Sequence, residues 1–166
     1  MIKSLPVAAR ALIYMSGFLL FFAWLALRVR ALDRFVQITL PDGVELIGAA
    51  MMVIGGILGL ACVGEFVLRG RGTPAPFDAP REFVAAGPYR YVRNPMYVGG
   101  LFLLAGFGLV EHSVSILVMA LVLLVAVHLM VVFYEEPTLR KSFGASYIKY
   151  CKSTRRWLPR FSFHHE

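Results

Sequence analysis

Apolar positions fall into four blocks along the chain, and the polar residues collect between them. Ala11 to Val29, with Phe18, Phe21, Phe22 and Trp24, would extend about 28 Å as a helix, enough for one bilayer crossing. Val44 to Leu68 is the second block, and it carries Gly48, Gly55, Gly56, Gly59 and Gly64. Such glycines weaken a soluble helix, but in lipid they let helices approach closely; the GxxxG pair Gly55/Gly59 is a weak, common form of that signal. Pro95 to Val110 is a third, short span of about 24 Å. Glu111-His112-Ser113 predicts a tight turn, and Val114 to Tyr134 a fourth span, ended by Glu135-Glu136-Pro137. Beyond it, Leu139, Phe143, Tyr147 and Tyr150 recur at helical spacing, with Arg140, Lys141, Lys149 and Lys152 at other positions. Thr138 to Lys152 therefore reads as an amphipathic surface helix. The expected fold is an all-α, polytopic membrane bundle of about four transmembrane helices with a C-terminal amphipathic interfacial helix. It forms one domain over 1–166, a helix pair at 11–68 preceding a core at 69–160.

The polar intervals differ in kind. Met1 to Arg10 is a short basic lead. The run behind it is long and lacks a small-residue cleavage pattern, so a retained helix is expected rather than a signal peptide. Between Arg28 and Gly43, Leu32, Phe35, Val36 and Ile38 suit an interfacial turn before Pro41-Asp42-Gly43. Glu65 lies one turn from Arg69, and a snorkelling ion pair accounts for its charge. Arg69 to Asn94 is too long and too rich in Pro for a hairpin, and long loops in compact proteins tend to be functional. The tail Arg155-Arg156-Trp157-Leu158-Pro159-Arg160 has the basic–aromatic mix of a headgroup-level anchor.

Composition supports the bilayer and narrows the partners. At 58% hydrophobic residues and a mean hydropathy of +0.69, the chain exceeds the roughly 45–50% of soluble domains. A net charge of +7 in such a chain marks the cytoplasmic face rather than nucleic-acid binding. With four spans, the lead, the long loop and the tail share one side, which holds 14 of the 17 Lys and Arg residues. Arg28, Arg30 and Arg34 lie opposite. The N-terminus, loop and C-terminus are thus expected in the cytoplasm, with membrane lipids as neighbours. Cys62 in an apolar run and Cys151 in a basic tail are not expected to pair, and neither has metal-type spacing.

One stretch, Ala85 to Gly100, interleaves aromatic, cationic and Gly/Pro residues against an apolar run. Gly87-Pro88 and Asn94-Pro95 interrupt any continuous helix, and Pro95 suits a first helical position. The free N–H groups and positive dipole end there adjoin Arg90, Arg93 and Asn94, a good place for an anion. Tyr89, Tyr91 and Tyr97 offer flat faces. A helical hairpin turning at Glu111-His112-Ser113 returns Glu135 and Glu136 to the same depth, so the two clusters should be neighbours. Two readings stand on the residues alone. The clusters could bind a zwitterion carrying a cation and a flat base, or the glutamates could merely neutralise Arg90, Arg93 or Arg140 at the interface.

Gly87-Pro88-Tyr89-Arg90-Tyr91-Val92-Arg93-Asn94-Pro95-Met96-Tyr97-Val98-Gly99, followed by Glu135-Glu136-Pro137, Phe143-Gly144, Tyr147, Tyr150 and Arg156-Trp157-Leu158-Pro159, resembles the integral membrane methyltransferases. These are the isoprenylcysteine carboxyl methyltransferase and phospholipid N-methyltransferase group, and the resemblance covers roughly Arg71 to Arg160. It implies S-adenosyl-L-methionine in a cytoplasmic pocket and a lipid or lipophilic small molecule as methyl acceptor, entering from the bilayer. By position it implies cofactor contacts at Arg81, Glu82, Phe83, Val84, Tyr89, Asn94, Pro95, Met96, Tyr97 and Glu135. Glu135, Glu136, Arg93 and Asn94 are the candidates for catalysis. Two positions depart from the pattern: Asn94 stands where the family usually has His, and Val131 where the prenylcysteine enzymes carry an acceptor-binding Arg.

Methyl transfer from a sulfonium needs alignment and desolvation more than acid–base chemistry. That agrees with the lack of any Ser/His/Asp set, metal cluster or Gly-rich phosphate loop in the sequence. An amine acceptor would have to lose a proton, which Glu135 or Glu136 could take. His128, two turns before Glu135, could line the acceptor path or be packed within the bundle. Arg93 could hold the cofactor carboxylate or a lipid phosphate. Two rival classes are a nicotinamide-dependent reductase of sterol-reductase type and a non-enzymatic membrane assembly subunit.

Overall fold

Backbone polar groups in hydrocarbon must bond within their own segment, so apolar blocks of this length fold as helices. A computed structural model, which describes residues 6–70 and 84–159, has that form. Helix α1 covers Val7–Arg30, α2 Val44–Glu65, α3 Pro95–Val110, α4 Val114–Met130 and α5 Glu136–Ser153. Three apolar helical runs, Val7–Phe35, Val44–Arg69 and Val114–Ser153, are long enough to cross a membrane, and α3 is a shorter one. The all-α membrane bundle read from the hydrophobic pattern is the fold observed. Large apolar side chains point outward, Leu46 at 74% and Phe133 at 75% exposure, a surface suited to acyl chains rather than water. The 16 residues of α3 reach about 24 Å, short of a hydrocarbon core of about 30 Å.

Helices α2 and α3 form the closest pair. A Cβ added to Gly48 would lie 2.6 Å from the Gly106 carbonyl oxygen, and one on Gly55 would lie 2.6 Å from that of Gly99. The tightest approaches fall at glycines seven residues apart on each helix, and a Cβ on Gly99 would also lie 3.3 Å from Gly59 N, so both members of the GxxxG pair border α3, although a Cβ on Gly59 itself would meet open space. Backbones this close gain dispersion contacts that lipid cannot replace.

The far end of the bundle is tied by short polar links. Asp33 accepts the Ser115 N–H at 2.8 Å, Ser113 caps α4 by accepting from Ile116 N at 3.2 Å, and Arg30 pairs with Glu111 at 2.6 Å. The expected tight turn at Glu111-His112-Ser113 is there, with His112 in the left-handed region at φ 49°.

At the near end the structure corrects the expected stop at Glu135-Glu136-Pro137. The helical run continues from α4 through a π turn, Val131–Glu135, directly into α5. Pro137 falls in the first turn of α5, directly after the π turn, whose i−5 bonding, Glu136 N–H to the Val131 carbonyl, widens the run where proline cannot donate. The real interruption is Gly144, whose φ of 52° and ψ of −125° kink α5.

Candidate functional site

The two polar clusters do meet. Tyr97, in the first turn of α3, donates its hydroxyl to Glu135 Oε2 at 3.2 Å. Arg93, just before α3, places Nη1 3.2 Å from Glu136 Oε1. The hairpin turn sets this, because α3 and the α4 run with its π turn bring their ends back to one depth.

Glu136 is the more enclosed glutamate, at 4% exposure. Arg156 grips it with both ends of its guanidinium, Nε at 2.7 Å and Nη2 at 3.0 Å, and Arg140 stands 4.0 Å away. Burial alone would raise the Glu136 carboxyl, but the Arg156 hydrogen bonds and the charges of Arg93, Arg156 and Arg140 outweigh it and hold it below the usual carboxylate range. It stays an anion. Glu135 differs: it accepts from Tyr97 and has no Lys or Arg partner among the described residues.

Around this pair the C-terminal tail closes the site. Arg93 N–H donates to the Arg155 carbonyl at 2.8 Å, and Val92 and Arg155 form an isolated bridge. Asn94 Nδ2 donates to the Arg156 carbonyl at 3.3 Å. Tyr150 donates to the Tyr89 carbonyl at 2.6 Å, and Trp157 Nε1 to His128 Nδ1 at 3.1 Å. His128 is thus packed and bonded, the second of its two expected settings. Arg156 and Trp157 were expected to be headgroup anchors, but both turn inward, because a buried carboxylate and an imidazole acceptor outbid water for their N–H groups. Among the described residues of the tail, Arg155 and Leu158 keep the outward role, Leu158 at 70% exposure.

Asn94 is a favoured capping residue, yet its side chain makes no cap hydrogen bond to α3. Its Nδ2 is turned to the tail, and the uncapped first-turn N–H groups of α3 keep their capacity for an anion. Pro95 is buried at the start of α3. Val84, Tyr89 and Cys62 form a small core against which Met96 packs, and the Tyr89 ring meets Phe66 edge-on at 5.4 Å. Tyr89 is therefore a packing residue with 8% exposure, whereas Tyr91 is open at 65%. Gly87 has φ +55°, and a Cβ there would come within 2.6 Å of Glu65 Oε1, so the turn needs glycine. Glu65 and Arg69 make the expected ion-pair contact at 2.8 Å, without hydrogen-bond alignment. Arg81, Glu82 and Phe83 lie outside the described residues. Val131, where an acceptor-binding Arg would sit, is fully buried.

Cys151, absent from the sequence-based site, accepts from Arg93 Nη1 at 2.8 Å. Nothing in its spacing signals this; it follows from the tail folding back. Two surface clefts flank the tail. One of about 380 Å³ is lined by Arg93, Cys151, Lys152, Ser153, Thr154, Arg155 and Arg156, and another of about 360 Å³ by residues including Arg90, Lys149 and Tyr150. Neither is lined by Tyr97 or Glu135.

No individual curated protein matches the chain. A family model, phospholipid methyltransferase, matches residues 44–146. That span takes in α2, the long loop, the α3–α4 hairpin, the twin glutamates and half of α5. It covers well over half of the chain, which therefore belongs to the phospholipid methyltransferase family of membrane enzymes.

Proposed function

We propose that this protein transfers a methyl group from S-adenosyl-L-methionine to a lipophilic acceptor at the cytoplasmic face. Family membership supplies the methyltransferase class and the membrane substrate. The single observation that carries the cofactor is the contrast between the two glutamates.

Glu136 is saturated by guanidinium groups, while Glu135 holds a tyrosine hydroxyl and no Lys or Arg among the described residues. Beside it, α3 begins without a side-chain cap. A carboxylate lacking a cation next to uncapped helix N–H groups fits a ligand that carries an ammonium and a carboxylate together. When bound, S-adenosyl-L-methionine would supply the methyl group on a sulfonium. Glu135 would hold the ammonium, the first turn of α3 the carboxylate, and Tyr97 would fix the Glu135 carboxylate in place. Asn94 positions the tail through Nδ2, which donates to the Arg156 carbonyl. An amine acceptor would give its proton to Glu135, because Glu136 is held as an anion by its arginines. The buried Val131 in place of an arginine supports a lipid amine or other lipophile over a prenylcysteine carboxylate.

Calorimetric titration of the purified protein with S-adenosyl-L-methionine tests the reading. Binding by wild type and its loss in Glu135→Gln are expected; no binding by wild type overturns it. Mass spectrometry of a membrane lipid extract incubated with enzyme and isotopically labelled donor then identifies the acceptor.

A further inference from the structure

Helix α5 breaks at a single residue. Gly144 has φ 52° and ψ −125°, the geometry of the first central position of a type II′ turn, which glycine adopts without strain. A Cβ there would meet no atom within 4 Å, so the position answers to backbone freedom and not to packing. The kink sends residues 145–159 back across the start of α3, where the tail meets Arg93 and Asn94. That segment is held mainly by polar ties. Tyr150, Arg156 and Trp157 reach Tyr89, Glu136 and His128, all on the other side of the kink, and the Arg155 carbonyl takes Arg93 N–H. Among its described residues Tyr147 is the one buried ring, while Ile148 and Leu158 are exposed. Each polar tie exchanges for a bond to water when the segment lifts, so its net hold is small beside that of an apolar core. Lifting strands no carboxylate either. Arg93 and Arg140 precede Gly144 in the chain, lie 3.2 and 4.0 Å from Glu136 and remain with it.

We infer that residues 145–159 form a lid hinged at Gly144, open when α5 straightens and closed over the start of α3 when it kinks. Straightening lifts the Arg155 and Arg156 carbonyls off Arg93 and Asn94 and exposes the uncapped N–H groups of α3. Open, the lid admits and releases the ligand held there; closed, it keeps water out of the site. The motion is a property of the fold, and only the ligand's identity as S-adenosyl-L-methionine rests on the proposed methyl transfer.

Hydrogen–deuterium exchange on ligand-free, full-length protein, read by mass spectrometry, tests the hinge. Gly144→Ala puts a methyl group into open space but opposes the kinked backbone. It is expected to speed exchange about tenfold in 145–157 and in the peptide that carries Arg93, whose N–H the lid holds, and to leave 137–143 at the wild-type rate. Val92→Cys with Arg155→Cys, at the two residues of the isolated bridge, in a Cys151→Ser background, ties the lid shut when oxidised. Exchange at the same amides is expected to slow on oxidation and recover on reduction. Unchanged exchange in Gly144→Ala, an equal rise in 137–143, or equal exchange in the oxidised and reduced pair overturns the lid. Gating is read as the association rate of S-adenosyl-L-methionine, expected about tenfold slower for the oxidised pair than for the reduced one; equal rates overturn it. Absence of cofactor binding in every form overturns the donor assignment instead, and the exchange measurement, which needs no ligand, still decides the hinge.

Discussion

Glu135 and Glu136 are neighbours in the chain and opposites in their surroundings. Side chains of successive helical residues point about 100° apart, so one turns into the arginines and the other toward Tyr97. Glu135→Gln is expected to abolish S-adenosyl-L-methionine binding while leaving the melting temperature near wild type. Glu136→Gln should instead lower stability by about 2–3 kcal/mol, less than the 3–5 of a fully buried pair because Arg156 is 30% exposed. Thermal denaturation and cofactor titration on the same two variants separate these outcomes. Tyr97→Phe removes one hydrogen bond to a carboxylate and should weaken cofactor binding by about 1.5 kcal/mol, roughly tenfold. The roles of these glutamates were not legible in the dipeptide itself. Which one faces cations depends on Arg156, 20 positions further along.

Among the elements, the α2–α3 contact and the C-terminal tail carry the arrangement. Gly106→Leu would drive a side chain into the Gly48 carbonyl and Met52, at a cost of about 1–3 kcal/mol, measurable as a lower melting temperature in detergent. Gly59→Leu, facing open space, should be close to neutral. The tail is latched through Glu136, whose carboxyl is held below its ordinary value near 4.5. A group whose folded value is depressed stabilises the fold above its unfolded value and loses that contribution as pH falls toward the folded one. Tail docking should therefore persist unchanged through neutral pH and weaken only on acidification below about 4.5. Trp157 fluorescence in a Trp24→Phe background reports it directly, because releasing Trp157 from His128 exposes the indole to water. The blocks that became helices were readable from their apolar length, and the turn at Glu111-His112-Ser113 from its polarity. The continuation through Pro137 and the kink at Gly144 were not, since proline at a first turn and proline as a breaker look alike without the backbone around them.

For the whole molecule, four crossings are the expectation, which would put the basic lead, the site and the tail on one face, and the excess of Lys and Arg there predicts that face to be cytoplasmic. In sealed inside-out vesicles, a membrane-impermeant thiol reagent should label Lys141→Cys and spare Leu32→Cys; the reverse pattern would invert the topology. The amino-acid sequence by itself determined that the chain enters the bilayer, that it does so as helices, and that its two polar clusters flank one hairpin. Those properties depend on apolar length and on local backbone chemistry, which are carried by consecutive residues. Only the tertiary structure decided which glycines let α2 and α3 touch, which glutamate the arginines claim, and that the tail folds inward to complete the site. Each of those is a choice among partners far apart in the chain, settled by burial and charge once the helices have packed.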